Sequence, residues 1–145
     1  MADPALSRLQ TLPSWLLGRA AAVGHRLVGE HLAEAGLRMT HHAVLCGIAE
    51  HGPLAQAELA RIVRLDPKDM VGVLNDLQGR ELITRERDPK DARKNTLALS
   101  PAGRELVRRG ERLALAANAE LLAPLGPEER RLLGELLERL VAGRL

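Results

Sequence analysis

The ten residues from Arg85 to Lys94 read R-E-R-D-P-K-D-A-R-K, placing Arg85, Arg87, Lys90, Arg93 and Lys94 among Glu86, Asp88 and Asp91. Guanidinium and ammonium groups at this density can bind phosphate oxygens, and an interleaved carboxylate can hold an arginine in place by a charge-assisted pair. A charge run is also the ordinary composition of a solvated hairpin. Other reactive side chains are few. His42 and Cys46 are spaced i, i+4 and share a helix face, as half of a zinc site would, with His41 and His31 as possible supplements. Cys46 is the single cysteine, and a lone helical cysteine is most often a small core residue. Trp15 is the one large aromatic. There is no Walker A loop, no G-x-G-x-x-G, no H-E-x-x-H and no G-x-S-x-G, so the chain does not read as an enzyme, and no cofactor or metal is expected.

Positioning the charged run requires a hairpin. Ile83 enters it, Leu97 and Leu99 alternate on the way out, and Ser100-Pro101 then opens a helix. Directly upstream, Asp66 is an N-cap with Pro67 at the first helical position, where a missing N–H costs nothing. Met70, Val73, Leu74 and Leu77 follow i, i+3, i+4, i+7 and form one core-facing stripe. The opposite face holds Lys68, Val71, Gly72, Asn75 and Gly79. Small residues on an exposed helix face make sense where something must approach the backbone closely.

Upstream again, Thr40 is the expected N-cap of a helix with Val44, Leu45 and Ile48 inward, stopped by Gly52-Pro53. A short helix follows from about Gln56 to Arg64, with Ala55 at its cap position. A first helix runs from Pro13 to about Glu34 and closes at Gly36; its wide apolar surface includes Leu16, Ala20, Val23 and Leu27. After the hairpin, one helix reaches about Ala123 and another runs from Glu128 to about Ala142, rich in leucine.

The totals agree with a helical protein. The chain has 145 residues, a formal net charge of +2, one Trp and no Tyr or Phe. Its core must be built of Leu, Val, Ile and Ala. Scarce aromatics argue against single-stranded nucleic acid, which is bound by base stacking. A single cysteine excludes an internal disulfide framework. No apolar run approaches the roughly 18 residues of a membrane span, and the start lacks a signal-peptide core. A cytoplasmic location is expected.

The expected fold class is mainly α with a small β-hairpin wing: a winged helix-turn-helix plus N- and C-terminal dimerisation helices. One domain spans residues 1–145, with 38–100 as the DNA-binding region and 13–36 and 101–145 as the dimerisation helices. The terminal helices carry more apolar surface than the middle block can cover, which predicts a homodimer. Two-fold symmetry would set two reading helices about 34 Å apart, one turn of duplex DNA.

With these residues laid out, the chain resembles the MarR family of transcriptional regulators. The resemblance rests on E-L-A-R at Glu58–Arg61, L-D-P at Leu65–Pro67, N-D-L at Asn75–Leu77 and L-I-T-R at Leu82–Arg85. It continues through D-P-K-D-A-R at Asp88–Arg93 and L-A-L-S-P-A-G at Leu97–Gly103. It implies an obligate dimer and repression of nearby genes from a pseudo-palindromic operator, relieved by a small ligand or an oxidant. DNA contacts would come from Gln56, Lys68, Val71, Gly72 and Asn75 on the helices and from Arg87, Lys90, Asp91, Arg93 and Lys94 in the wing. Arg93 would enter the minor groove, with Asp91 holding an arginine. A phenolic or aromatic acid effector would meet Trp15, His41 and His42.

Several positions depart from the family pattern. Val71 and Gly72 stand where Thr and Arg are common, Glu81 replaces the glycine closing the reading helix, and Ala92 replaces a wing arginine. These losses motivate one alternative, a winged-helix protein-interaction module with a weakened DNA face. A redox- or zinc-responsive regulator is another. Against it, Leu12–Leu17 lacks the cysteine of the peroxide-sensing members, and Arg104–Ala123 lacks the histidines of the zinc-sensing ones.

Overall fold

Leu45, Leu59, Leu74 and Leu97 come from four different elements, and all four are fully buried in one cluster. Burying one such side chain stabilises a fold by about 1.5–3 kcal/mol before chain entropy is counted. The computed structural model describes residues 7–91 and 93–144. The wing position Ala92 lies outside the described residues.

In chain order the elements are α1 (Ser7–Gln10), α2 (Pro13–Ala33), α3 (Met39–His51), β1 (Leu54–Ala55), α4 (Gln56–Val63) and α5 (Pro67–Gly79). Then follow β2 (Ile83–Arg87), β3 (Asn95–Leu99), α6 (Pro101–Leu121) and α7 (Pro127–Val141). The fold is mainly helical with a small antiparallel sheet, as the sequence pattern predicts. Two compact units divide the chain, one built from Val28–Ala114 and one from the described parts of Met1–Leu27 and Leu115–Leu145.

The Val28–Ala114 unit contains α3, α4, α5 and the sheet. Its core joins Val44, Leu45 and Ile48 of α3 to Leu59 of α4, and both to Met70, Val73, Leu74 and Leu77 of α5. Gly47 lets α3 and α4 approach closely: a Cβ there would lie 2.8 Å from Leu59 Cδ1. The strand order is β1-β3-β2. Leu97 of β3 lies opposite Arg85 on one side and Leu54 on the other.

Helix α1 precedes the first helix that the sequence reading opens at Pro13, and two further details differ. Strand β1 was not anticipated, because two residues are too short to show alternation; only its pairing with β3 defines it. Thr40 is not the N-cap of α3. The helix begins at Met39, and the extended residue before it is Arg38, which makes no side-chain cap bond. The cause lies in how α2 ends. Gly36 takes a left-handed conformation (φ 68°), and the Leu37 N–H bonds back to Leu32 O at 3.1 Å. Leu37 is thereby buried, and the chain enters α3 before Thr40 is reached.

In the second unit, Gly24 of α2 lies against Leu121 of α6, where a Cβ would sit 3.3 Å from Leu121 Cδ2. Leu27 and Ala117 are buried. Most other large apolar side chains are not. Leu9, Leu12, Leu16, Leu17 and Val23 are exposed, and so are Leu132, Leu136, Leu137, Leu140 and Val141 along α7. Leu132, Leu136 and Leu140 repeat every four residues and make a continuous apolar row. Among the described residues, no helix is long and apolar enough to cross a membrane.

Candidate nucleic-acid interface

Helix α5 is fastened at both ends. At its start, the Asp66 carboxylate accepts the Lys68 N–H at 2.8 Å, and Pro67 occupies the first turn. At its end, Leu82 N–H reaches Leu77 O and Glu81 N–H reaches Gln78 O, both at 3.0 Å. This closure places Glu81 at φ 60°, the left-handed region that glycine favours. Helix α4 ends similarly: Arg64 has φ 55°, and Leu65 N–H bonds Ala60 O. Helix, turn and helix are therefore tightly joined, with two non-glycine residues in strained positions.

Between its fastened ends, α5 buries Met70, Val73, Leu74 and Leu77. The outer face presents Lys68, Val71, Gly72, Asn75 and Gly79 to solvent. Val71 is 46% exposed, and a Cβ added at Gly72 would meet nothing within 4 Å. Gln56 is the first residue of α4, half-buried. The cap position Ala55 has no acceptor of its own, and its N–H instead finds Glu58 Oε2 at 3.4 Å.

The wing is fixed to the end of α5 by the S-P-A-G segment. Ser100 N–H donates to Leu82 O at 3.0 Å, Ser100 Oγ donates to Glu81 O at 2.7 Å, and Gly103 N–H donates to Ser100 Oγ. A Cβ on Gly103 would fall 2.0 Å from Leu82 O, so only glycine fits. At the tip, two aspartates shape the backbone: Asp88 accepts Lys90 N–H and Asp91 accepts Arg93 N–H. The Arg93 guanidinium is 3.8 Å from Asp91 and 95% exposed, so that ion pair contributes little to stability. Arg87, Lys90 and Lys94 are exposed beside it.

The three residues expected around an effector are not brought together by one element. Trp15 belongs to the unit with α7, and its Nε1 has no hydrogen-bond partner among the described residues. His41 is buried, and its ring bonds Asp76 of α5. It lines a cleft of about 710 Å³ together with Arg38, Thr40, Lys68, Gly72 and Arg80. His42, next along α3, turns to α6, where a Cβ on Gly110 would lie 2.6 Å from His42 Nδ1. Cys46 Sγ is 3.6 Å from His42 Nε2. Burial pushes the His42 pKa down, with Glu111 opposing, and pushes the Cys46 thiol up, reinforced by Glu111 and Glu50. Cys46 is therefore a protonated, weakly nucleophilic thiol at neutral pH. Among the described residues, no group of three or more His, Cys, Asp or Glu side chains could hold a metal ion.

Sequence reasoning placed Arg85 in the charged run but missed its contact: its Nη2 donates to Asn75 Oδ1 at 3.2 Å. The signal was available. Arg85 lies two residues from Ile83, and so on the same, inward face of β2.

The family model described as the MarR family matches residues 37–94. The HTH-type transcriptional repressor Rv2887 of Mycobacterium tuberculosis is 31% identical over 126 residues, covering 87% of this chain and 91% of the relative. The chain belongs to the MarR family. A crystal structure of Rv2887 in complex with DNA superposes with a TM-score of 0.79 at 29% identity, covering 90% of this chain and 98% of that one. Another, in complex with p-aminosalicylic acid, gives 0.76 at 29% identity, covering 91% of this chain and 100% of that one. This MarR-family chain is a winged helix-turn-helix transcriptional regulator, with α4 and α5 as its helix-turn-helix and β2–β3 as its wing.

Proposed function

We propose that this regulator is a ligand-responsive repressor that binds a pseudo-palindromic operator as a homodimer, works in the cytoplasm and has no catalytic role. The observation that carries the reading is the two-sidedness of α5. Its inner face is wholly buried, its outer face is open, and a basic wing is fastened to its end. Lys68, Val71, Gly72 and Asn75 then meet base edges or phosphates in the major groove. Gln56, Arg87, Lys90 and Lys94 meet the backbone, and Arg93 enters the minor groove with Asp91 shaping the turn beneath it. The exposed apolar rows of α2 and α7 form the dimer interface, residues 13–36 and 101–145 supplying its helices and 38–100 the DNA-binding region.

An aromatic acid of the kind bound by the mycobacterial relative is the proposed effector class. Ligand binding weakens operator affinity only if it favours one spacing of the two α5 helices over the other. A mobility shift with the duplex flanking the chain's own gene tests the reading. Binding that falls steeply with salt, and falls again with p-aminosalicylic acid, is expected. A homodimer that binds no duplex at low salt would instead be a protein-interaction module, which the sparse side chains at Val71 and Gly72 would suit.

A further inference from the structure

Arg85 Nη2 donates to Asn75 Oδ1 at 3.2 Å, from the wing strand β2 to the outer face of α5. A guanidinium has only donors, so the Asn75 amide must offer its oxygen to Arg85 and turn its NH2 away. Arg85 sits opposite the buried Leu97 and on the face of β2 that buries Ile83. Its Nε is buried with no hydrogen-bond partner among the described residues. An unpaired buried donor destabilises a fold, and an apolar residue would suit this position better if packing were its only role. The side chain that gains from Arg85 is Asn75, on the face that α5 turns outward.

We propose that Arg85 is a positioning residue for base recognition, fixing the amide orientation with which Asn75 meets a base edge. An unrestrained asparagine interchanges its oxygen and NH2 by a flip and samples several rotamers. Holding its oxygen selects one arrangement before DNA arrives, which sharpens discrimination by preorganisation. The same bond couples the wing to the recognition helix, so a shift of β2 alters how α5 reads. The inference rests on α5 being the recognition helix.

The test is selection of binding sites from randomised duplexes by the full-length dimer, comparing the parent protein with Asn75→Ala, Arg85→Met and the double variant. Asn75→Ala is expected to flatten preference at one position of each half-site, by roughly five- to a hundredfold. Arg85→Met flattens the same position, and the double variant adds nothing further. The salt slope of Arg85→Met stays at the parent value, because Arg85 neutralises no phosphate. Its thermal midpoint does not fall, because the methionine removes the orphaned donor. Unchanged preference in Arg85→Met, additive effects, or a salt slope reduced by about one would overturn the proposal.

A second measurement needs no DNA and carries the test should Arg85→Met not fold. Side-chain amide NMR of the free dimer is expected to show a rigid Asn75 NH2 in the parent and a mobile one in Arg85→Lys, whose single point donor holds the oxygen less firmly. A mobile amide in the parent overturns the inference. A parent protein that binds no duplex overturns the recognition-helix reading itself. One that binds selectively while Arg85→Met keeps the same selectivity overturns only the role of Arg85.

Discussion

His41 Nε2 stands 2.8 Å from Asp76 Oδ2, joining the first turn of α3 to the last turn of α5. The histidine is only 8% exposed, while the aspartate is half in solvent. Asp76→Ala leaves a buried imidazole without its partner and is expected to lower stability by about 1 kcal/mol, discounted for the exposed carboxylate. Asp76→Asn, which retains an acceptor, should lose less. The shift in urea midpoint at fixed protein concentration measures both, since a dimer's stability depends on concentration. Equal midpoints for Asp76→Ala and the parent would mean that the pair adds nothing.

Glu81 closes α5 at φ 60°, a conformation that disfavours a residue with a Cβ by about 1 kcal/mol or more. Replacement by glycine removes that strain but adds chain entropy to the unfolded state. Glu81→Gly is therefore expected to raise the thermal midpoint by about 2 °C. A fall on scanning calorimetry would show that the Glu81 side chain stabilises more than its backbone loses.

Arg93 is almost wholly exposed at the wing tip, with its backbone held by Asp91. Arg93→Ala should leave the unfolding midpoint within about 0.5 kcal/mol of the parent. Operator affinity should fall about tenfold, with a salt slope smaller by about one. Parent-like affinity and slope in a fluorescence-anisotropy titration would remove Arg93 from the interface.

The half-buried His42 is held below the ordinary imidazole value, chiefly by desolvation. The unfolded chain takes up a proton near pH 6.5, and the folded chain does so only at lower pH. This contribution to stability is fully present above about pH 6.5 and is lost as the pH drops toward the lowered folded value. His42→Gln should flatten that part of the profile. Urea midpoints at pH 7.5 and 5.5 compare the two proteins; an identical drop in both would refute the assignment.

Much of this architecture is legible in the chain because it depends on neighbours in sequence. Asp66-Pro67 signals a helix start, and the Met70-Val73-Leu74-Leu77 stripe signals which face is buried; both are found. The spacing of Ser100 and Gly103 marks a helix start after the wing. What it does not disclose is why glycine is needed, since the obstacle is the Leu82 carbonyl, some twenty residues away. Strand β1 escaped for the same reason, being defined by its pairing with β3, whereas the early start of α3 follows from a local bond of Leu37 to Leu32 that composition does not reveal. The histidines show the limit most plainly. His41 and His42 are adjacent in the chain, yet a helix turns successive side chains about 100° apart. One therefore meets Asp76 of α5 and the other Gly110 of α6.

By itself, the sequence determined the helices from Pro13 onward, the hairpin, the inward stripe of α5 and the family, all of which rest on periodicity, caps and local order. Tertiary structure alone decided which polar groups meet: His41 with Asp76, Ser100 with Glu81, and Arg85 with Asn75. Hydrophobic patterning specifies which face turns inward, because burial depends only on the total apolar surface removed from water. Hydrogen bonds depend on distance and direction between particular atoms, and those are set only once the elements have packed.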